Sequence, residues 1–152
     1  MLDLTDIKIL NELQSDGRIS IAKLSQKVAI STSSCLRRVK CLEKNGIIEK
    51  YTALLSQKKF GINSEIFLLI KMKNQSRKTL DRFQDQISEL NEVMECFLLS
   101  GEFDYLIKLG VKNNENLLAI HNRIAESPDV SRINSFFSLQ KVVHKTSPTL
   151  PG

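Results

Sequence analysis

Apolar residues recur at helical spacing up to about Gly46, and strand-like runs alternating with shorter helical ones follow. Asp3, with Asp6 three residues later, predicts a helix start with Asp3 as its cap and acidic side chains in the first turn. Leu4, Ile7, Leu10 and Leu13 form the expected buried stripe, and Asp16-Gly17 the expected stop. Ser20 predicts the cap of a short second helix ending at Lys27, with Ile21, Leu24 and Val28 inward. Ala29-Ile30 makes a tight turn, and Ser31 caps a third helix running to about Lys44 and closed by Asn45-Gly46. In that helix Cys35, Val39 and Leu42, supported by Leu36, face the core, which leaves Thr32, Ser33, Arg37, Arg38 and Lys40 outside. Residues 47–52 read as a strand with a partner near residues 53–55, forming a small wing or a bridge between domains.

Beyond Phe60-Gly61 the spacing changes. Residues 65–73 read as a strand, and residues 78–87 as an amphipathic helix with Leu80, Phe83 and Ile87 inward. Strands follow over 93–100 and 105–111, then a helix over 116–125 through Leu117, Ile120 and Ile124, and a final strand over 130–142. This order predicts a ferredoxin-like sheet, four antiparallel strands with both helices on one face. The fold class expected is therefore α+β. An N-terminal winged helix-turn-helix domain (residues 1–60, with a short strand linker) precedes a ferredoxin-like βαββαβ domain (residues 61–152).

The sheet face away from the helices carries Phe67, Leu69, Phe97 and Leu99, whose exposure to water would be costly. A second sheet from another copy would cover it, so a homodimer is expected.

Charge sharpens the division. The formal net charge is +5, and residues 1–60 hold 11 Lys and Arg against 6 Asp and Glu, while residues 61–152 hold 11 of each. The whole excess lies in the helical segment, as suits a surface that meets a polyanion. Two short helices, a turn and a third helix match a helix-turn-helix that reads double-stranded DNA. Hydroxyls of Ser31, Thr32, Ser33 and Ser34 suit base edges or phosphates. Arg37 and Arg38 offer rigid donor forks, and Lys40 and Lys44 offer point charges. A three-helix bundle with capping serines and a solvated arginine pair has the same pattern, so the residues alone leave both readings open.

Other chemistries find little support. His121 and His144 stand without a nucleophile or paired carboxylate in motif spacing, and no phosphate-binding glycine loop is present, so no catalytic residue and no enzyme activity is expected. Cys35, Cys41 and Cys96 are widely spaced and read as buried or half-buried free thiols, with no metal site and no cofactor. The opening MLDLTDIKILNEL lacks the features of a secretory signal, and the most apolar run, residues 66–72, is too short to cross a bilayer. The expected compartment is the cytoplasm, without membrane partners. In the loop joining the second and third strands, Gly101 relieves crowding while Glu102 and Asp104 can accept bonds from an ammonium group. The same residues also serve as ordinary turn formers.

Three stretches, taken in order, resemble the leucine-responsive and asparagine-responsive regulators, also called feast/famine regulators. They are LDLTDIKILNELQSDGRIS, KLSQKVAISTSSCLRRVKCLEKNGIIEKYTALL and ECFLLSGEFDYLIKLGV. The resemblance implies a transcriptional regulator, a homodimer that assembles to tetramers or octamers, and an amino acid or related small metabolite as effector. It places the recognition helix on residues 31–44 and the effector loop on Gly101, Glu102, Phe103 and Asp104, with a tail strand around residues 138–143. The alternative is a metabolite-binding oligomeric protein without sequence-specific DNA recognition. Two departures stand out: Ala29 where many relatives have glycine, and Thr32-Ser33-Ser34 where many have prolines.

Overall fold

The computed structural model describes residues 2–143, which divide into two compact units, one comprising the residues up to Leu54 together with Val142 and Val143, and the other spanning Leu55–Lys141. The first holds α1 (Leu4–Ser15), α2 (Ile21–Lys27) and α3 (Thr32–Lys44). Asp3 caps α1 in a reciprocal box. Its carboxylate accepts from the Asp6 amide at 2.8 Å, and that of Asp6 accepts from the Asp3 amide at 3.2 Å. Ser20 and Ser31 cap α2 and α3 by accepting from the amides of Lys23 and Ser34. Ile9, Leu10, Leu24, Val28, Cys35, Val39 and Leu42 form the core of this unit.

The stripe on α1 is not the expected one. Leu4 is 65 % exposed while Ile9 is fully buried. A series spaced by three drifts roughly 60° per step on a helix of 3.6 residues per turn, so Leu4 and Leu13 cannot share a face. Leu36 is likewise exposed rather than supporting the core.

Nor do residues 47–55 form a strand. The amides of Ile47 and Ile48 both donate to the Leu42 carbonyl, and Ile48 packs against the helical core. Tyr51 donates to Glu43 at 2.9 Å. The segment therefore closes α3 instead of pairing with its neighbours.

In the second unit a 3₁₀ turn at Gln57–Phe60 leads into β1 (Ser64–Met72), α4 (Arg77–Ser88), β2 (Val93–Leu98), β3 (Tyr105–Val111), α5 (Asn114–Ala125) and β4 (Val130–Phe137). The sheet order is β2-β3-β1-β4, every neighbour antiparallel, as in a ferredoxin-like fold. Alternation along β1 buries Ile66, Leu68, Ile70 and Met72 in one core with Phe83, Ile87, Ile120 and Ile124 of the helices. Each such buried side chain stabilises the fold by roughly 1.5–3 kcal/mol.

On the opposite face Phe97 pairs with Leu106, which pairs with Leu69, and Phe67 pairs with Phe136. Phe97 and Phe136 remain 48 % and 51 % exposed. Gly110 lets Ile62 approach this sheet, since a Cβ there would lie 3.0 Å from the Ile62 side chain.

The last strand is shorter than expected. β4 ends at Phe137, and residues 138–143 are not a strand. Its neighbour β1 begins at Ser64, so the ladder runs out of partners after the Ser138 amide donates to Glu65. The expectation of buried or half-buried cysteines holds for Cys35 alone. Cys41, on an outer flank of α3, and Cys96, on the edge strand β2, are exposed.

Candidate functional site

Residues of α3 separate into two sides. Cys35, Val39 and Leu42 face the core, and helical geometry puts Ser33, Arg37, Lys40 and Lys44 together on the opposite side. All four are exposed. The result is one serine and three cations along a single solvent-facing stripe. At the N-terminus the hydroxyls already have partners: Ser31 Oγ lies 3.3 Å from Ser33 Oγ, and Thr32 Oγ1 lies 3.3 Å from Ser25 Oγ. Ser25 is buried in α2 and donates to the Ala22 carbonyl, so Thr32 ties the two helices of the motif together. Ser34 is half-buried.

Arg38 does not join the stripe. It is half-buried, and its Nη1 donates to Asp3 and Asp6 at 2.7 Å each. The expectation of an outward Arg37-Arg38 pair thus gives way to one free guanidinium and one bound to α1.

The loop between β2 and β3 is organised around its acidic residues. Gly101 has φ +145°, a conformation that side chains rarely adopt, and open space where a Cβ would stand, so glycine is needed there for backbone shape. Glu102 pairs with Arg132 of β4 at 2.5 Å, and the same guanidinium lies over the Phe103 ring, 4.8 Å from its centroid. Asp104 is buried. Its Oδ2 accepts from the Met72 amide at 2.7 Å, its Oδ1 from the Gln75 side-chain amide at 2.5 Å, and Lys71 Nζ stands 3.4 Å away. Burial raises the Asp104 pKa, but the Met72, Gln75 and Lys71 partners outweigh it and hold the carboxyl below its ordinary value. Asp104 is consequently an anchor for the loop, whereas Glu102 is exposed at the surface.

Known proteins match both units. Residues 65–148 match the Lrp/AsnC ligand binding domain, and residues 2–49 a winged helix-turn-helix DNA-binding domain. The glutamate uptake regulatory protein of Zymomonas mobilis is 33% identical over 99% of this chain and 92% of its own length.

The chain belongs to the Lrp/AsnC family.

The leucine-responsive regulatory protein of Escherichia coli is 43% identical over 72% of this chain and 67% of its own. A transcriptional regulator from Neisseria meningitidis, solved as its L-Met complex, superposes with TM-score 0.92 and 34% identity, covering 99% of this chain and 97% of that one. As an Lrp/AsnC member the chain is a DNA-binding transcriptional regulator that carries a ligand-binding domain, and its relatives are regulators rather than enzymes.

In this Lrp/AsnC chain Ala29 adopts φ 56°, so the turn keeps a left-handed conformation even with alanine. Among the described residues no helix is long and apolar enough to cross a membrane, and no group of three or more His, Cys, Asp or Glu is placed to hold a metal ion. Sequence reasoning missed Arg132, Lys71 and Gln75 around the loop. The β1–β4 register joins two of them, setting Lys71 opposite Arg132, while Gln75 follows the end of β1. Asp3 and Asp6 were legible as a helix cap but not as partners of Arg38.

Proposed function

We propose that this regulator reads double-stranded DNA with the outward stripe of α3, as a homodimer whose assembly or operator affinity shifts when an amino acid or related small metabolite binds near the loop at residues 100–105. Residues 1–60 serve DNA recognition, and residues 61–152 serve sensing and pairing. Arg37 addresses a base edge, Lys40 and Lys44 hold phosphates, and Ser31, Thr32, Ser33 and Ser34 bring the helix N-terminus to the backbone. The observation that carries this reading is the uninterrupted stripe of Ser33, Arg37, Lys40 and Lys44 on a capped, solvent-facing helix.

Pairing is supported by the apolar row Phe97, Leu106 and Leu69 on the sheet face away from the helices. Covering it with a second copy removes that surface from water and gives two recognition helices for successive major grooves. Further assembly to tetramers or octamers extends the same contacts, and the regulator works in the cytoplasm. Gly101, Glu102, Phe103 and Asp104 shape the effector site: Glu102 receives the ammonium group, and Asp104 anchors the loop. The L-Met bound in the Neisseria relative supports an amino acid as the class. Coupling follows if the effector prefers one of two assembly states.

A thermal-shift screen of amino acids, with calorimetry on each hit, tests the reading. A true effector at a hundredfold excess over its Kd stabilises the native form by about 2.7 kcal/mol and shifts salt-sensitive binding to the chain's own upstream DNA. Absence of both stabilisation and sequence-preferring binding defeats it.

A further inference from the structure

The capping box of α1 leaves one oxygen on each of its two carboxylates. Asp3 uses Oδ1, and Asp6 uses Oδ2, to cap each other's amides. The remaining oxygens, Asp3 Oδ2 and Asp6 Oδ1, both accept from Nη1 of Arg38 on α3. All four oxygens are thus engaged, and the cap doubles as a receptor for one guanidinium. The contact holds Arg38 strongly protonated, through Asp6 first and then Asp3.

Among the described residues no fully buried apolar side chain anchors the same turn. Leu2 and Leu4 are exposed, Ile7 is half-buried, and the first fully buried side chain of α1 is Ile9. Arg38 is the neighbour of Arg37 in sequence but points about 100° away from it around α3. Its Nη1 is taken up by two carboxylates, which offset its charge within the fold.

We propose that Arg38 is a positioning residue for DNA recognition. Clamped by Asp3 and Asp6, it fixes the start of α1 against α3 and sets the rotation at which α3 presents Arg37, without itself touching the duplex. This inference rests on α3 being the helix that reads DNA. Partly exposed ion pairs add little stability, so the clamp acts on orientation more than on folding.

The test uses the full chain, a duplex recovered by selection from a random pool, and a duplex of scrambled sequence. Arg38→Met and the double variant Asp3→Asn, Asp6→Asn are each expected to lower the selected-over-scrambled affinity ratio by roughly tenfold, a part of what a base contact contributes. Combining all three changes is expected to be no worse than either alone, because the groups act as one unit. Arg38→Lys, which keeps a cation within reach of a carboxylate, restores part of the ratio. The salt slope of scrambled-duplex binding stays that of the parent in Arg38→Met.

A slope smaller by about 1 in Arg38→Met, with an unchanged ratio, would make Arg38 a phosphate contact and overturn the proposal. An unchanged ratio in both clamp variants while Arg37→Ala loses it overturns the clamp alone. An unchanged ratio in all of them also removes α3 as the reading helix. Helical circular dichroism of each variant accompanies the binding data, and the Asn pair, which retains helix-capping groups, decides the matter if Arg38→Met does not fold.

Discussion

Arg132 of β4 lies over the ring of Phe103, its guanidinium carbon 4.8 Å from the centroid, while pairing with Glu102 in the same loop. Both contacts are partly exposed, and such contacts are worth about 1 kcal/mol or less each. Arg132→Ala is therefore expected to leave the global unfolding free energy nearly unchanged. The loop itself loosens, and the amides around residues 101–103 exchange hydrogen faster than in the parent. If exchange there is unaltered, Arg132 does not latch the loop.

Asp104 should behave in the opposite way. Removing its carboxylate leaves the buried Met72 amide without an acceptor, a loss that costs about 1–3 kcal/mol. Asp104→Ala is expected to destabilise the second unit by that amount in urea, and to weaken the effector response through collapse of the loop.

The pH dependence follows from the lowered pKa. The unfolded carboxyl titrates near 3.8 and the folded one below it. The stabilisation is thus fully present above that value and is lost as pH falls through the folded pKa. The difference between parent and Asp104→Ala should shrink only in strong acid. A gap that closes near neutral pH contradicts this assignment.

Ala29 occupies the left-handed region at φ 56°, where a Cβ crowds the backbone. Ala29→Gly relieves this at some cost in unfolded-chain entropy, so a net gain of about 1 kcal/mol at most is expected. The melting of the helix-turn-helix, followed by helical circular dichroism, should rise. A drop would mean that the turn tolerates alanine without strain.

Leu69 lies mid-row on the sheet face away from the helices, opposite Leu106. Leu69→Lys places a charge where the proposed second copy would pack, and should convert a dimer into a monomer in sedimentation experiments. Operator affinity should then fall more than tenfold, because two linked half-sites become one. A dimer that persists in the variant places the pairing surface elsewhere.

Much of the fold was legible before any coordinates. Ser20 and Ser31 announced two helix starts, Asn45-Gly46 one helix end, and the alternation through Ile66, Leu68 and Ile70 a half-buried strand. The supposed strand at residues 47–52 failed because strand formation needs a partner backbone, and the amides of Ile47 and Ile48 close α3 instead. The stripe on α1 failed at Leu4 because its spacing of three drifts around the helix. The outward side chain Arg37 was read correctly from its position relative to Cys35, Val39 and Leu42. Its neighbour Arg38 was not, since its partners lie more than thirty residues away.

The residues by themselves determined the order of elements, the caps of the three N-terminal helices and the faces of the central strand. Those features depend on hydrogen bonds and side-chain spacing within a few positions of one another. Only the tertiary structure decided which polar groups remain available. Arg38 and Asp104 resemble free binding groups in the chain, yet Asp3 and Asp6 engage one while Met72, Gln75 and Lys71 engage the other. Such pairings join distant segments, so they arise from helix packing and strand register rather than from local pattern.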